Sequence, residues 1–290
     1  MRWIVSWILI LVVAIATRPV QAADDPPSPA EQFKKLKKEY ELASSGGAAN
    51  DEERYKLIGR VFRERYRLSR ELVALAEKYP NDPIAIEALV QATWYVNGTP
   101  WPVELAGTDN EGWIRALALL ERDHIASEKL DSVCQRVAYG FNKEYEQFLR
   151  VVLAKSPHHD IQALACLSLA HFLTNRLQRL VLIEGDPKLT KEFSDLFGKE
   201  YLDGLRRQDR NQATREAEQL FERAEREFGD VELAEGGTIG GKVRADLYEM
   251  RHLIVGKEAP DIKGVDQDGT PFKLSDYRGS VVLLDFWQEY

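Results

Sequence analysis

The sequence is poor in the residue types that build metal and redox centres. It has two cysteines, Cys134 and Cys166, and five histidines among 290 residues. Neither cysteine belongs to a C-x-x-C pair, and the chain has no metalloprotease histidine pair, no glycine-rich phosphate loop and no G-x-S-x-G. We therefore predict no catalytic, cofactor-binding or metal-binding residue in this chain, and no cofactor.

The histidines show one cluster, His158-His159-Asp160, that raises the question of a metal. It falls at a predicted helix start, where an aspartate serves as a cap or as a first-turn acid. We therefore interpret the cluster as helix-start chemistry. His171 lies on an apolar helical stretch and is expected to be a packed histidine, while His124 and His252 have no visible partners.

The two cysteines both stand among apolar residues with helical spacing. An exported protein could join Cys134 and Cys166 in a structural disulfide. Buried free thiols are the interpretation that we favour, because free cysteine behaves as a small apolar residue.

The sequence also lacks an excess of positive charge. Asp and Glu number 47 against 39 Lys and Arg, which gives a formal net charge of −8. No nucleic-acid partner is therefore expected, and the basic stretch Arg60–Arg70 is interpreted as the solvated face of a helix. The fractions of hydrophobic (44%) and charged residues (30%) are typical of a soluble globular protein.

The start of the chain has the pattern of a secretory signal. Arg2 precedes an apolar run, Trp3–Ala16, and small residues follow in Val20-Gln21-Ala22. The run is shorter than the ~20 residues that span a bilayer. We predict a signal peptide over residues 1–22 and an exported protein, located in the periplasm or cell envelope, with no membrane attachment after cleavage. An uncleaved anchor is the alternative.

The next segment, residues 23–50, is predicted to be a flexible linker with a short charged helix. It begins with the polar, proline-rich stretch Asp24–Pro29 and ends at the small-residue break Gly46–Asn50.

Residues 51–253 have helical periodicity and predict a helical domain. One phrase recurs, in Ala74–Val96 and in Val151–Leu173, with a degenerate third copy in Phe221–Gly236. Each full copy has a proline break followed by a helix rich in alanine, which lets neighbouring helices approach closely. The fold of this region is either a non-repeating helical bundle or a set of tetratricopeptide-like helix pairs. The segment Asn97–Trp113 interrupts the helices and is expected to be a loop that packs aromatic residues onto them.

Composition changes again over residues 254–290. Ile262–Val265 is predicted to be a short strand, Asp266–Gly269 a hairpin turn, and Thr270–Leu274 the return strand. Ser275-Asp276 begins a tight turn, and Val281–Phe286 has the continuous apolar character of a strand that is buried on both faces.

This segment resembles the opening of the redoxin superfamily, the thioredoxin-like group that includes exported thiol–disulfide oxidoreductases and the peroxiredoxins with AhpC/TSA-type domains. The matching residues, in chain order, are Gly256, Ala259-Pro260, Asp268-Gly269, Phe272, Leu274, Ser275-Asp276, Gly279, Val281-Val282-Leu283 and Phe286-Trp287. The resemblance implies a mainly α protein followed by an incomplete α/β thioredoxin-like domain.

The last residues, Phe286–Tyr290, fit the first five positions of the reductase phrase F-W-x-x-W-C-x-x-C, with Tyr in place of the second Trp. The cysteine pair of that phrase is not in the chain. The resemblance implies thiol–disulfide exchange or an antioxidant activity, with protein disulfides or small oxidants as partners of a complete domain, and we expect this chain to be inactive. The alternative is a helical-repeat interaction protein whose helices bind a protein partner and whose redoxin remnant is not catalytic.

The resemblance also implies a structural consequence for the tail. About 35 residues are fewer than the ~40 at which a domain becomes stable unaided, and a lone central strand leaves its backbone groups unpaired. We expect Val281–Tyr290 to be either poorly ordered or covered by the helical region.

Overall fold

A computed structural model describes residues 26–45, 47, 49–94, 111–254, 257–266 and 268–285. The predicted signal peptide, nearly all of the predicted loop Asn97–Trp113 and the phrase Phe286–Tyr290 lie outside these ranges. Within them the chain forms eleven α-helices and one two-stranded sheet. The prediction of a mainly α protein is therefore confirmed.

The elements follow one another in an almost wholly helical order. The helices are α1 (Pro29–Ser44), α2 (Asp51–Lys78), α3 (Ile84–Trp94), α4 (Glu111–Asp123), α5 (Asp131–Val137), α6 (Lys143–Lys155), α7 (His159–Gly185), α8 (Pro187–Phe197), α9 (Lys199–Arg207), α10 (Arg210–Phe228) and α11 (Ile239–His252). The strands are β1 (Lys263–Val265) and β2 (Pro271–Lys273), and single 3-10 turns cover Glu128–Leu130 and Leu274–Tyr277.

Side chains with short polar groups fix the start of most long helices. Ser28 forms a reciprocal capping box with Glu31 at the start of α1, where Pro29 takes the first helical position. Four further helices begin with a side-chain cap, from Asn50, Asp186, Asp209 and Thr238. The helix boundaries are thus set locally, by residues that satisfy the N–H groups of the first turn.

Three helix pairs make up the body: α2 with α3, α6 with α7, and α10 with α11. Helices α4 and α5 lie between the first two pairs, and α7 contacts α10 directly. The recurring phrase falls on the first two of these pairs, and its alanines are buried there: Ala85, Ala88, Ala92, Ala163, Ala165 and Ala170. The small side chains allow the second helix of each pair to pack closely on its neighbours.

The main core runs through all three pairs and is centred on α7, whose Phe172 is fully buried. The α8–α9 hairpin covers the later part of α7 with a separate, smaller core around Phe141 and Phe193. Helix α1 lies on α2, where Arg67 contacts Glu39 at 2.8 Å and the Tyr40 hydroxyl accepts from Arg65 at 3.0 Å. The predicted short helix of residues 23–50 is therefore packed against the body.

The C-terminal segment forms an antiparallel hairpin, as the turn residues predict. Gly264 pairs with Phe272 in the centre of the β1–β2 ladder. The return strand is shorter than predicted, because Leu274 already begins a 3-10 turn. The predicted buried strand is not formed over Val281–Asp285, the part of it that is described, because no neighbouring strand pairs with its backbone.

Candidate functional site

In the C-terminal segment, residues 257–285, one carboxylate makes two of the bonds that join its ends. Asp261 accepts hydrogen bonds from the backbone N–H of Ser275 at 2.8 Å and from its hydroxyl at 3.1 Å. The backbone hydrogen bond from Ser275 is the main cause that lowers the pKa of Asp261. Leu274 N–H also donates to Ile262 O at 2.8 Å. These bonds join the approach to β1 with the turn that follows β2.

The hairpin turn is built in the same way. The Asp266 carboxylate accepts from the N–H groups of Asp268 at 2.9 Å and Thr270 at 2.8 Å. Gly269 has φ +80°, a conformation that favours glycine. The predicted turn is therefore confirmed, with Gly269 at the positive φ that the prediction assigned to it.

An apolar row follows the hairpin and is open to solvent. Val281 and Leu283 are 102% and 92% exposed, while Val282 and Leu284 are 43% and 46% exposed. The less exposed pair lines an open groove of about 400 Å³, together with Leu274 and other residues. Apolar side chains therefore project on both faces of an extended segment, which is typical of a strand that is covered on both faces.

The two cysteines lie far inside the helical body. Both Cys134 and Cys166 are free and 0% exposed, as predicted. Burial raises the pKa of the Cys134 thiol strongly and raises that of Cys166 to about 11. The thiolate is the nucleophile in disulfide exchange, so burial and a raised pKa are the opposite of the exposed, low-pKa state of a reactive cysteine.

The histidine cluster lies at the start of α7, as predicted. The ring of His158 contacts Ala126 O at 2.8 Å, and the ring of His159 packs against Phe228 at 5.0 Å between centroids. Across the ranges that the structure describes, no group of three or more His, Cys, Asp or Glu residues is arranged to hold a metal ion.

His171 has a partner that sequence reasoning missed. Its Nε2 lies 2.8 Å from Oδ2 of Asp246 on α11, and its ring meets Phe221 edge to face at 5.2 Å. Lys242 contacts the other oxygen of Asp246 at 3.0 Å. Burial alone raises the pKa of Asp246, but the hydrogen bonds from His171 and Lys242 outweigh it, so the pKa is lowered. The partners are 75 residues apart, and no sequence spacing signals the pair.

The groove beside this pair has a volume of about 240 Å³ and lies between α7, α10 and α11. Thr174, three residues after His171, also lines this groove, and its hydroxyl already donates to Ala170 O at 3.0 Å. The His171–Asp246 pair orients the imidazole between two helices, but the Thr174 hydroxyl is not placed to be activated by that imidazole as a nucleophile. The pair therefore acts as a link that fixes α11 on α7.

A partly buried charge cluster joins three helices. Glu146 on α6 accepts from Arg176 of α7 at 2.5 Å and from Arg150 at 2.7 Å, and Arg150 also reaches Glu216 of α10 at 2.6 Å. Burial raises the pKa of Glu146, but the two arginines outweigh it and the pKa is lowered. The cluster stabilises the contact between the second and third helix pairs.

Helices in the described ranges are all too short or too polar to cross a membrane. Searches of family models, of curated proteins and of solved structures found no significant match to this chain.

Proposed function

We propose that residues 254–290 are the opening part of a thioredoxin-like domain, and that the protein is an exported member of the redoxin superfamily. The observation that carries the proposal is the apolar row Val281–Leu284, which follows a hairpin tied by Asp261 and is left without a covering layer. A contiguous exposed apolar segment is unfavourable in water unless another surface covers it. In a thioredoxin-like domain this position belongs to a central strand.

The family activity is thiol–disulfide exchange or an antioxidant reaction. It depends on a first cysteine at a helix N-terminus, where the pKa is lowered, and on a second cysteine that resolves the mixed disulfide. The thiols of Cys134 and Cys166 are buried and their pKa values are raised, so they do not replace that pair. We therefore expect no disulfide reductase activity from residues 1–290 alone.

A complete domain would act on protein disulfides or small oxidants and would need no metal or organic cofactor. The protein works in the periplasm or cell envelope after cleavage of residues 1–22. The apolar run Trp3–Ala16 supports this location.

The coding sequence downstream of the Tyr290 codon provides the first test. A continuation that encodes C-x-x-C within a few codons supports a redoxin. A stop codon directly after Tyr290 in several independent isolates contradicts an active redoxin and supports the second function below.

A graft provides the second test. Residues 257–285 replace the equivalent segment of a complete exported thioredoxin-like reductase, and insulin reduction by the purified chimera is measured. The chimera is expected to fold and to reduce insulin, while the 290-residue chain gives a blank. A matched graft that carries Leu283→Asp is expected to lose the fold, because it places a charge in the central strand. Equal behaviour of the two grafts would contradict the proposal.

The stacked helix pairs favour a second function. We propose as the alternative that the body is a tetratricopeptide-like interaction module that binds a protein partner, and that residues 254–290 are a non-catalytic remnant. The support is that α6–α7 and α10–α11 pack through α7 and α10, as neighbouring units do in helical repeats.

A further inference from the structure

The N-terminus of α6 faces a cavity of about 230 Å³ between the helical body and the α8–α9 hairpin. Ile114, Leu196 and Phe197 give it apolar walls, and Asn142, Lys143, Glu144 and Tyr201 complete the lining. A water molecule occupies about 30 Å³ in the liquid. The cavity therefore has room for a ligand of several heavy atoms.

Asn142 occupies the cap position of α6 but does not cap the helix. Its backbone, at φ −74° and ψ 147°, has the extended conformation of a cap, and asparagine is among the preferred cap residues. Its side chain nevertheless accepts no hydrogen bond from the first turn. The residue is only 7% exposed, and its amide makes no hydrogen bond within the described ranges. Its amide atoms are not fully enclosed by protein, because the enclosed side-chain atoms that lack a partner in the described ranges are those of Trp113 and Arg136. Since Asn142 lines the cavity and its amide has no protein partner, this side chain is available to a ligand.

Backbone donors lie beside that amide. Tyr145 N–H already donates to Asn142 O at 3.2 Å, whereas the N–H groups of Lys143 and Glu144 have no partner in the part of the chain that the structure describes. Free N–H groups and the helix dipole make a helix N-terminus attractive to oxygen acceptors that carry negative charge. Lys143 also lines the cavity, although its side chain is 74% exposed, so its ammonium group is a solvated cation near the opening.

Two glutamates lie near this wall. Glu146 is held by Arg176 and Arg150, whereas Glu144 has only a loose contact of 4.0 Å with the exposed Lys143 side chain. The Tyr201 hydroxyl donates to Phe141 O at 2.7 Å, so it can only accept from a ligand. The donors left for a ligand are the two backbone amides, the Asn142 amide and, once it leaves Glu144, the Lys143 ammonium.

We propose that this cavity binds the carboxylate group of a small organic molecule. The carboxylate oxygens accept from the N–H groups of Lys143 and Glu144 and from the Asn142 side chain. The carbon skeleton of the ligand lies against Ile114, Leu196 and Phe197. An inorganic anion has no carbon skeleton and would leave these three side chains without an apolar contact.

The test titrates ¹⁵N-labelled protein with sodium acetate, sodium butyrate or sodium sulfate, with chloride keeping the ionic strength constant. Saturable shifts of the Lys143 and Glu144 amide resonances are expected with butyrate. Butyrate has two more methylene groups than acetate, and their burial at about 0.8 kcal/mol each is expected to tighten binding by up to about 15-fold. Sulfate is expected to bind more weakly than butyrate.

Asn142→Asp is the decisive variant, because its own carboxylate occupies the free N–H groups. It is expected to weaken butyrate binding by at least about tenfold. The matched control is Asn50→Asp at the cap of α2, where Asn50 already accepts from Glu53 N–H at 2.9 Å and no change in affinity is expected.

Thermal unfolding verifies that both variants are folded. If Asn142→Asp does not fold, Lys143→Gln replaces it, with Lys155→Gln at the other end of α6 as control, and only the former is expected to weaken binding severalfold. Amide shifts that grow linearly with butyrate and chloride alike would overturn the proposal. So would unchanged binding by the folded Asn142→Asp variant, or equal affinities for acetate and butyrate.

Discussion

The helical body and the C-terminal segment use similar apolar residues with opposite results. Leu173 on α7 is 1% exposed, whereas Leu283 is 92% exposed. The body buries most of its leucines, because its long helices have neighbours on their apolar sides, although Leu182 on α7 is 64% exposed. The segment 257–285 has no buried residue among those described. Its two-stranded sheet is a single layer, and burial needs a second layer packed against it. Apolar sequence alone does not make a core, since a second surface must supply the contacts.

The largest expected effect of this difference is on amide hydrogen exchange. Core amides of α7 and α10 are expected to exchange only through global unfolding, which costs about 5–15 kcal/mol in a typical domain. Amides of Val281–Asp285 are expected to exchange at nearly the unprotected rate, because they have no ladder partner. Mass spectrometry of peptides from both regions measures this. Strong protection across Val281–Asp285 would contradict the comparison.

Truncation of one leucine in each region gives the next largest effect. Leu173→Ala is expected to lower the free energy of unfolding by about 2–5 kcal/mol, because it leaves a cavity in the core. Leu283→Ala is expected to change it by less than about 0.5 kcal/mol. Urea unfolding of the two variants measures the difference. Similar losses for the two would show that Leu283 is covered in solution.

Disruption of the charge cluster around Glu146 is expected to lower the free energy of unfolding by an intermediate amount. Arg176→Met is expected to destabilise the body by about 3 kcal/mol, because Glu146 loses its most deeply buried partner. The matched control is Lys191→Met, since the exposed pair Lys191–Asp195 is expected to contribute nothing measurable. Urea unfolding at neutral pH measures both, and equal unfolding midpoints would contradict the assignment.

The same cluster predicts a pH dependence. The pKa of Glu146 is lower in the folded protein than its usual value of 4.5. Its contribution is therefore fully present above about pH 4.5 and is lost as the pH falls through the folded pKa. Unfolding midpoints between pH 3 and pH 7 are expected to fall at the acid end. Glu146→Gln is expected to flatten this slope, and an unchanged slope would refute the role of Glu146.

The smallest expected effect is local to the hairpin. Asp261→Asn removes the carboxylate that holds Ser275, so the Ser275 amide is expected to exchange faster while the unfolding midpoint of the body stays the same. Asp195→Asn on α8 is the control and is expected to leave the Ser275 amide unchanged. A lower midpoint for Asp261→Asn would show that the hairpin and the body are coupled.

Local features of the fold could be predicted well from the sequence. The hairpin turn at Asp266 and Gly269 was predictable because its geometry depends on side chains within four residues of each other. The buried free state of Cys134 and Cys166 was predictable from their apolar helical neighbours. Long-range partners could not be predicted. His171 and Asp246 are 75 residues apart, and the cavity beside Asn142 is lined by residues of α8 and α9.

The sequence by itself determined the helical class, the helix breaks and the hairpin, because periodicity and turn chemistry act over a few residues. Only the tertiary structure decided which of these features gained a partner. It placed Arg176 on Glu146 and left the row Val281–Leu284 exposed. Burial, charge pairing and cavities depend on which elements meet, and that is set by packing across the whole chain.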